Sequence, residues 1–374
     1  MDFNFTDEQN ALRDTLARYI ARDYPFEARR ALAKSAEGFS REHWKRFAEL
    51  GLLALPFPEE FGGLNGNAVD TMLVMESFGR GLVLEPYLST VIVAGHLIRD
   101  AGSAAQKKAL LPAVAGGERL LALAHYEREA RYKVSLVNTA AKPDGSGWTL
   151  SGAKGVVLGG GSADTLLVSA DTGNGISLFL VDSKAQGLTV RNYMTQDGGR
   201  AAEVRLDKVA VDADALVGPE GGALPAIERA LDYGIAALCA EAVGIMAALD
   251  EATLEYLKTR KQFGQPIGRF QALQHRMVDM VIATEQARSM AMMAAVKADS
   301  PDAAERRRTI SAAKAYIGRQ ARFVGQQAVQ LHGGMGVVDE LNVSHWFKRL
   351  TLIDLTFGNA DHHLGLFSDF LLAA

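Results

Sequence analysis

One cysteine, Cys239, occurs in 374 residues. No disulfide can form within such a chain, which excludes a disulfide-stapled secreted scaffold and fits a reducing compartment. An excess of charge is also missing. A formal net charge of −4 leaves no concentrated basic face of the kind that nucleic acid demands. The N-terminal stretch "MDFNFTDEQNALRD" lacks the continuous apolar run of a signal peptide. No apolar stretch reads as the roughly 20 residues that span a bilayer. Metal-ligand spacing is absent too: His362 and His363 are sequence neighbours, which a helix turns about 100° apart. "GGGSAD" at 159–164 is neither G-x-G-x-x-G nor G-x-x-x-x-G-K, and reads as a turn between strands. These absences predict a cytoplasmic protein without a nucleic-acid, membrane or metal partner.

What is present falls into three zones. Residues 1–118 read as helical. "TDEQNALRDTLARYIARDY" opens on Thr6 as N-cap, and Leu12, Leu16 and Ile20 recur every four residues along one face. "EHWKRFAELGL" reads as a second helix and "AVDTMLVMESFGR" as a third, with "PFPEEFGGLNGN" a loop between them. Residues 119–218 change character. Short apolar or alternating runs such as "GWTLSGAKGVVL", "DTLLVSA", "ISLFLVD" and "AEVRLDKVAV" are separated by Gly, Asp and Asn, which predicts an antiparallel barrel or sandwich. Residues 219–374 return to helical spacing. Ile227, Leu231, Ile235, Leu238, Ala242, Ile245 and Leu249 step by three or four, so this helix exceeds 30 residues and packs in a bundle or along a subunit interface. Cys239 lies on its apolar face as a packed thiol.

The long helix ends at "TRKQFGQPIGRFQALQHRMVDM", where Pro266 and Gly268 force a break. Cations at a helix C-terminus are explained by capping alone. A second glycine-rich spot, "QAVQLHGGMG", has a similar make-up, with Gln330 ahead of Gly333 and Gly334. An arginine beside an aromatic ring, with glutamines and bare glycine backbone, suits a phosphate joined to a planar base.

Those two stretches, the order of helical, β and helical domains, and "ELGLLALPFPEEFGG" resemble the acyl-CoA dehydrogenase family over nearly the whole chain. Within it, "RDYPFEARR", "TMLVMESFGR", "EPYLSTVIVAG" and "FKRLTLIDLTFGNADHH" are most similar to the small subunit of pimeloyl-CoA dehydrogenase. The resemblance implies an α+β multidomain fold: an N-terminal helical domain, a central antiparallel β-barrel or sandwich and a C-terminal four-helix bundle. It implies FAD as cofactor, an acyl-CoA thioester of dicarboxylic or bulky type as substrate, and electron-transfer flavoprotein downstream, within fatty acid metabolism. It also implies that Arg260, Gln262, Phe263, Gln330, Gly333 and Gly334 reach across a subunit interface to hold the pyrophosphate and adenosine half of FAD seated mainly in a neighbour. Gln271 and Gln274 are weaker members of that clasp.

The rest of the flavin site departs from the family pattern. The family's T-E-P-x-A-G-S-D becomes Tyr126–Lys133, where only Glu127 and Ala130 survive. Its flavin-covering W-x-T falls on Val156, Val157 and Leu158. The catalytic glutamate before a glycine falls on Phe357, and the alternative glutamate and the arginine after it fall on Gly234 and Ile235. Phenylalanine cannot take the substrate's α-proton. Asp354 and Asp361 are nearby acids, but helical spacing does not bring either to that spot. The expectation is therefore a chain without a catalytic residue of its own, paired with a homologous subunit whose FAD site it completes. Two alternatives stay open: a self-sufficient homo-oligomer with an unusual base, and a structural or acyl-CoA-binding relative without flavin.

Overall fold

The computed structural model describes residues 4–372. Helix α1 (Asp7–Asp23) begins as the sequence predicts. The Thr6 hydroxyl accepts from the Gln9 amide and the Gln9 side chain accepts from the Thr6 amide, a reciprocal cap. It is followed by α2 (Phe26–Lys34), α3 (Arg41–Glu49) and α4 (Ala68–Gly81). A π-helical turn over Leu88–Gly95 then leads into α5 (His96–Ala101) and α6 (Ala104–Ala115). The strands follow: β1 (Leu121–Ala124), β2 (Ala140–Asp144), β3 (Gly147–Leu158), β4 (Thr165–Asp171), β5 (Ile176–Asp182), β6 (Leu188–Met194), β7 (Arg200–Asp212) and β8 (Leu216–Val217). The chain closes with α7 (Leu224–Thr259), the short strands β9 (Lys261–Gln262) and β10 (Gln265–Pro266), α8 (Gln271–Ala298), α9 (Ala303–His332), α10 (Asn342–Leu355) and α11 (Ala360–Leu372).

These elements form two compact units. The unit made of residues 32–67 and 84–234 holds the sheet. Its strands run in the order β6-β7-β3-β2-β4-β5-β8, with β1 paired to β4. This corrects the expected barrel: β6 and β8 are edges, and the sheet does not close. It is also not wholly antiparallel, because β1 and β2 both run parallel to β4. Leu150, Leu166, Val168, Phe179, Val181, Val204 and Val209 are buried on its core face, where alternation along each strand delivers them. One polar cluster is buried with them. Lys154 Nζ donates to Glu127 Oε1 at 2.7 Å, to Ser169 Oγ at 3.1 Å and to the His125 carbonyl at 3.2 Å. Burial lowers the Lys154 ammonium to a pKa of about 8, against the pull of Glu127.

The other unit contains residues 4–31, Ala68–Val83 and residues 235–372. An 18-residue window of α7 is apolar enough to cross a bilayer, contrary to the sequence reading, but 94% of that window is buried in the protein. It is a core helix. Its Gly244 faces the Glu76 backbone on α4, and α4's Gly79 faces the Glu241 backbone on α7, where a β-carbon would collide. The two helices can therefore cross at backbone distance. Helices α8 and α9 form an antiparallel hairpin. Asp302 turns the corner by accepting the Ala304 and Glu305 amides at 2.9 and 3.0 Å. Buried alanines at 283, 287, 291 and 294 on α8 and at 313, 321 and 328 on α9 supply small residues for this packing. Cys239 is fully buried, and burial pushes its thiol up to about 12.

Candidate functional site

The clasp residues are built on a tight β-hairpin. α7 stops at Thr259, and β9 and β10 pair antiparallel, with Gln262 opposite Gln265. The two residues between them, Phe263 and Gly264, have φ of 54° and 79°. A two-residue loop with both centres left-handed matches the twist of its strands, but it favours Asn-Gly. A phenylalanine there is strained. It is also 90% exposed, touching only Phe270 edge-on at a centroid distance of 5.9 Å among the ring contacts of the described residues. Neither folding nor solvation accounts for an aromatic ring in that position. Arg260 and Gln330 are exposed, and their side chains have no hydrogen-bond or ion-pair partner among the described residues. Gln271 at the start of α8 is likewise exposed and unpaired among the described residues. Gln262 and Gln274 are engaged locally, donating to the Lys261 and Gly268 carbonyls at 2.8 Å each.

At the other spot, α9 ends on Gly333, whose φ of 60° needs no side chain. Nothing lies within 4 Å of where a β-carbon on Gly333 or Gly334 would sit, so this backbone is open to an approaching group. The two spots are 70 residues apart in sequence, yet the structure joins them. Tyr256 on α7 stacks on His332 of α9, with centroids 4.5 Å apart and planes at 28°. Tyr256 lies one turn before Arg260, whose amide donates to the Tyr256 carbonyl at 2.8 Å. His332 immediately precedes Gly333, and its Nδ1 lies 2.8 Å from the Ala328 carbonyl. Sequence reasoning missed both rings. Their signal was position alone, each adjoining one of the two stretches. The resulting set of one free cation, unspent amides, bare glycine backbone and a projecting aromatic ring fits a pyrophosphate with an attached planar base.

The turn that carries Phe357 is held firmly. Phe357 has φ of 58° and Gly358 φ of 112°. A β-carbon on Gly358 would run into the rings of His362 and His363. Lys314, 1% exposed, donates to the carbonyls of Ile353, Asp354 and Gly358 at 2.7, 2.7 and 2.8 Å. His363 Nε2 lies 3.1 Å from the Phe357 carbonyl, and its Nδ1 lies 3.2 Å from Ser311 Oγ. That pattern makes Nε2 the donor and keeps the ring neutral. Burial and the nearby Lys314 hold its pKa down at about 3. Neither neighbouring acid stands in for a base. Asp354 Oδ1 accepts the Ala360 amide at 3.0 Å, capping α11. Asp361 has a side chain 84% exposed and faces Arg319 at 3.3 Å. At the alternative position, Gly234 is buried within α7. Glu241, farther along α7, is committed to a two-pronged pair with Arg349 at 2.5 and 2.7 Å.

The positions aligned with the flavin cover sit on a β-bulge. The β3–β7 register slips between Lys154 and Val157. Val156 there has φ of 52° and is 59% exposed, a conformation that β-branched residues rarely adopt. Val157 is buried, and none of Val156, Val157 and Leu158 carries a hydrogen-bonding side chain. Glu127 survives for a structural reason. Its carboxylate accepts the Asn138 amide, the Thr139 amide and hydroxyl, and Lys154, at 2.7–2.9 Å.

Comparison with known proteins identifies the chain. Residues 6–118, 122–209 and 221–372 match, in turn, the N-terminal, middle and C-terminal domains described for acyl-CoA dehydrogenase. A probable acyl-CoA dehydrogenase of Bacillus subtilis is 31% identical over 380 residues, covering 96% of this chain and 97% of that protein. Among solved structures, a variant of the Tcur3481–Tcur3483 steroid ACAD is 31% identical with a TM-score of 0.89, covering 98% of each chain. The FAD complex of PigA is 26% identical with a TM-score of 0.90, covering 99% of each. The chain belongs to the acyl-CoA dehydrogenase family, the flavin-dependent oxidoreductases that act on the CH–CH bond of acyl-CoA thioesters.

Proposed function

We propose that this chain is the small, catalytically degenerate subunit of a heteromeric acyl-CoA dehydrogenase in the cytoplasm, organised as domains 1–118, 119–218 and 219–374. Its role is to complete the FAD site of a homologous partner subunit. Arg260 would meet the pyrophosphate, Gln330 and the Gly333–Gly334 backbone would hold the adenosine half, and Phe263, Gln262 and Gln271 would enclose it. FAD, when bound, accepts the hydride that leaves the substrate's β-carbon. The observation that carries the reading is a mismatch within one chain. The clasp keeps its unspent donors and its strained, exposed Phe263, while the base position holds Phe357 on an otherwise intact turn. A general base contributes about 10²–10⁴-fold to such a proton abstraction. Among the described residues the candidate acids are not free at that position, since Asp354, Asp361 and Glu241 are all engaged elsewhere.

An exposed apolar surface supports a subunit partner. On α8, Val278 is 56%, Val281 43% and Ile282 49% exposed. They lie beside a groove of about 470 Å³ lined by Leu254, Leu257, Pro266, Met277 and Val278. Contiguous apolar surface of this kind marks an interaction face. A steroid ACAD described by two component names, at 31% identity, is consistent with pairing. Within this reading the substrate is a pimeloyl-type or other bulky acyl-CoA, and electrons pass to electron-transfer flavoprotein.

The test is to purify the chain alone and together with the homologous product of its neighbouring gene. Flavin stoichiometry and dye reduction with pimeloyl-CoA and FAD are then measured. The expected result is no turnover from the chain alone and fewer flavins than chains in the complex. Turnover by the isolated chain at the rate of the complex would sink the proposal.

A further inference from the structure

The two clasp segments come from different helices, and their side chains and glycines are too exposed to fix each other's spacing. Gly333 and Gly334 have no packing neighbours within 4 Å of a would-be β-carbon. Behind them the chain is anchored again only at Gly336, which is buried against the Val329 backbone. The hairpin is likewise held from behind, where the Ile267 amide donates to the Arg260 carbonyl at 2.8 Å and Gly268 lies against the Leu257 backbone. A contact between rings joins the two: half-buried Tyr256 stacks on buried His332. His332 is 5% exposed, and its Nδ1 lies 2.8 Å from the Ala328 carbonyl within α9.

We infer that the Tyr256–His332 stack is a positioning element that sets the spacing of the two clasp segments, so that Arg260 and the Gly333–Gly334 backbone meet one FAD together. The inference rests on the clasp reading above. Neither ring is assigned a contact with the cofactor, since each sits one step behind a residue that is. Stacked rings contribute about 0.5–1.5 kcal/mol beyond their buried area. If that energy orders the clasp before binding, its loss weakens FAD by roughly three- to tenfold.

The experiment uses the full chain in its assembled form, depleted of flavin and titrated with FAD by fluorescence quenching, with the melting temperature of each apo variant recorded alongside. Tyr256→Leu and His332→Leu remove one ring each. Tyr256→Phe and His332→Phe keep both rings while deleting polar atoms. The expected result is three- to tenfold weaker FAD for either leucine variant and wild-type affinity for either phenylalanine variant. The double leucine variant should be no weaker than the singles, as for two residues acting as one unit. Arg260→Ala separates the two readings, with an expected loss of about ten- to a hundredfold. If Arg260→Ala weakens FAD and the leucine variants do not, the stack inference is overturned and the clasp stands. If none of them weakens FAD, both are overturned. Should the phenylalanine variants lose FAD as well, ring stacking is not the cause and the inference is overturned. Should a leucine variant fail to fold, His332→Gln, which has similar reach without a ring, carries the same comparison.

Discussion

Replacing Asp250 by asparagine should stabilise this protein, and only above mildly acidic pH. Asp250 lies on α7 with 8% of its surface exposed, among residues that pack towards α8. Among the described residues its Oδ1 has no hydrogen-bond partner, and neither does the hydroxyl of fully buried Thr253, one turn on. Burial raises the carboxyl from its ordinary value of 3.8 to about 6, against a hydrogen bond from Thr284 and with help from the negative charges of Glu285 and Glu251. Arg288 pulls the other way, but its guanidinium is already paired with Glu76. A displacement of that size corresponds to about 3 kcal/mol lost when the group ionises in place. The sign follows from the raised folded-state value. The folded state holds the proton more tightly, so the favourable contribution is complete below about pH 4 and disappears as pH rises through 6. Asparagine has nearly the same shape and never ionises, yet its amide still costs about 1 kcal/mol to bury without full pairing. The net expectation is a gain of about 2 kcal/mol at pH 7.5, or a few degrees in melting temperature, turning into a loss of about 1 kcal/mol at pH 4, where only the amide's cost remains. Melting curves of wild type and Asp250→Asn at pH 4, 5, 6 and 7.5 decide the matter. A lower melting temperature for the variant at pH 7.5, or a difference that does not change with pH, would refute the reasoning.

Phe263→Asn should raise the melting temperature of the apo chain slightly, because asparagine tolerates the left-handed turn, while weakening FAD binding. A variant that melts higher and binds FAD normally would show that the ring is dispensable. Lys314→Met should cost about 3–5 kcal/mol, since it leaves three carbonyls around the α10–α11 turn, two of them buried, without this donor; a shift below about 1 kcal/mol in urea unfolding would mean that water replaces the ammonium. Phe357→Glu should not by itself create turnover, because Val156 and Leu158 still lack the ring cover and hydroxyl of the family pattern. Flavin bleaching by acyl-CoA at the native complex's rate, in a complex whose partner base has been removed, would contradict this.

The fold was largely legible because its signals are local and periodic. Thr6 with Gln9 three residues on is a cap that can be read without a structure, and the α7 stripe from Ile227 to Leu249 is one face of a helix at any packing. The open sheet was not legible. Alternation says which side of a strand is buried, but closure depends on whether the edge strands β6 and β8 meet, a long-range relation that no local pattern carries. The parallel pairing of β1 and β2 with β4 was hidden for the same reason. Asp250 was invisible too, because an aspartate among charged neighbours in "LDEATLEY" looks like a solvated helix face until tertiary packing buries it.

The site divides along a similar line. Arg260, Phe263, Gln330 and Gly334 could be picked out because the segments that carry them are contiguous and unusual in composition. Tyr256 and His332 could not, since a tyrosine and a histidine on apolar helices mean nothing until their rings are found 4.5 Å apart. The base position teaches the converse. The sequence alone shows that Phe357 is no acid, but not that its turn is still fully built, with Lys314, His363 and Gly358 holding φ of 58° in place. The backbone of this turn serves the fold. The three carbonyls gathered on Lys314 are the C-terminal groups of α10 and the entry to α11, which must be satisfied whether or not a carboxylate projects from the turn. A side chain other than a carboxylate at 357 therefore leaves the bundle undisturbed, and Arg260 and the Gly333–Gly334 backbone lie on separate segments at the ends of α7 and α9.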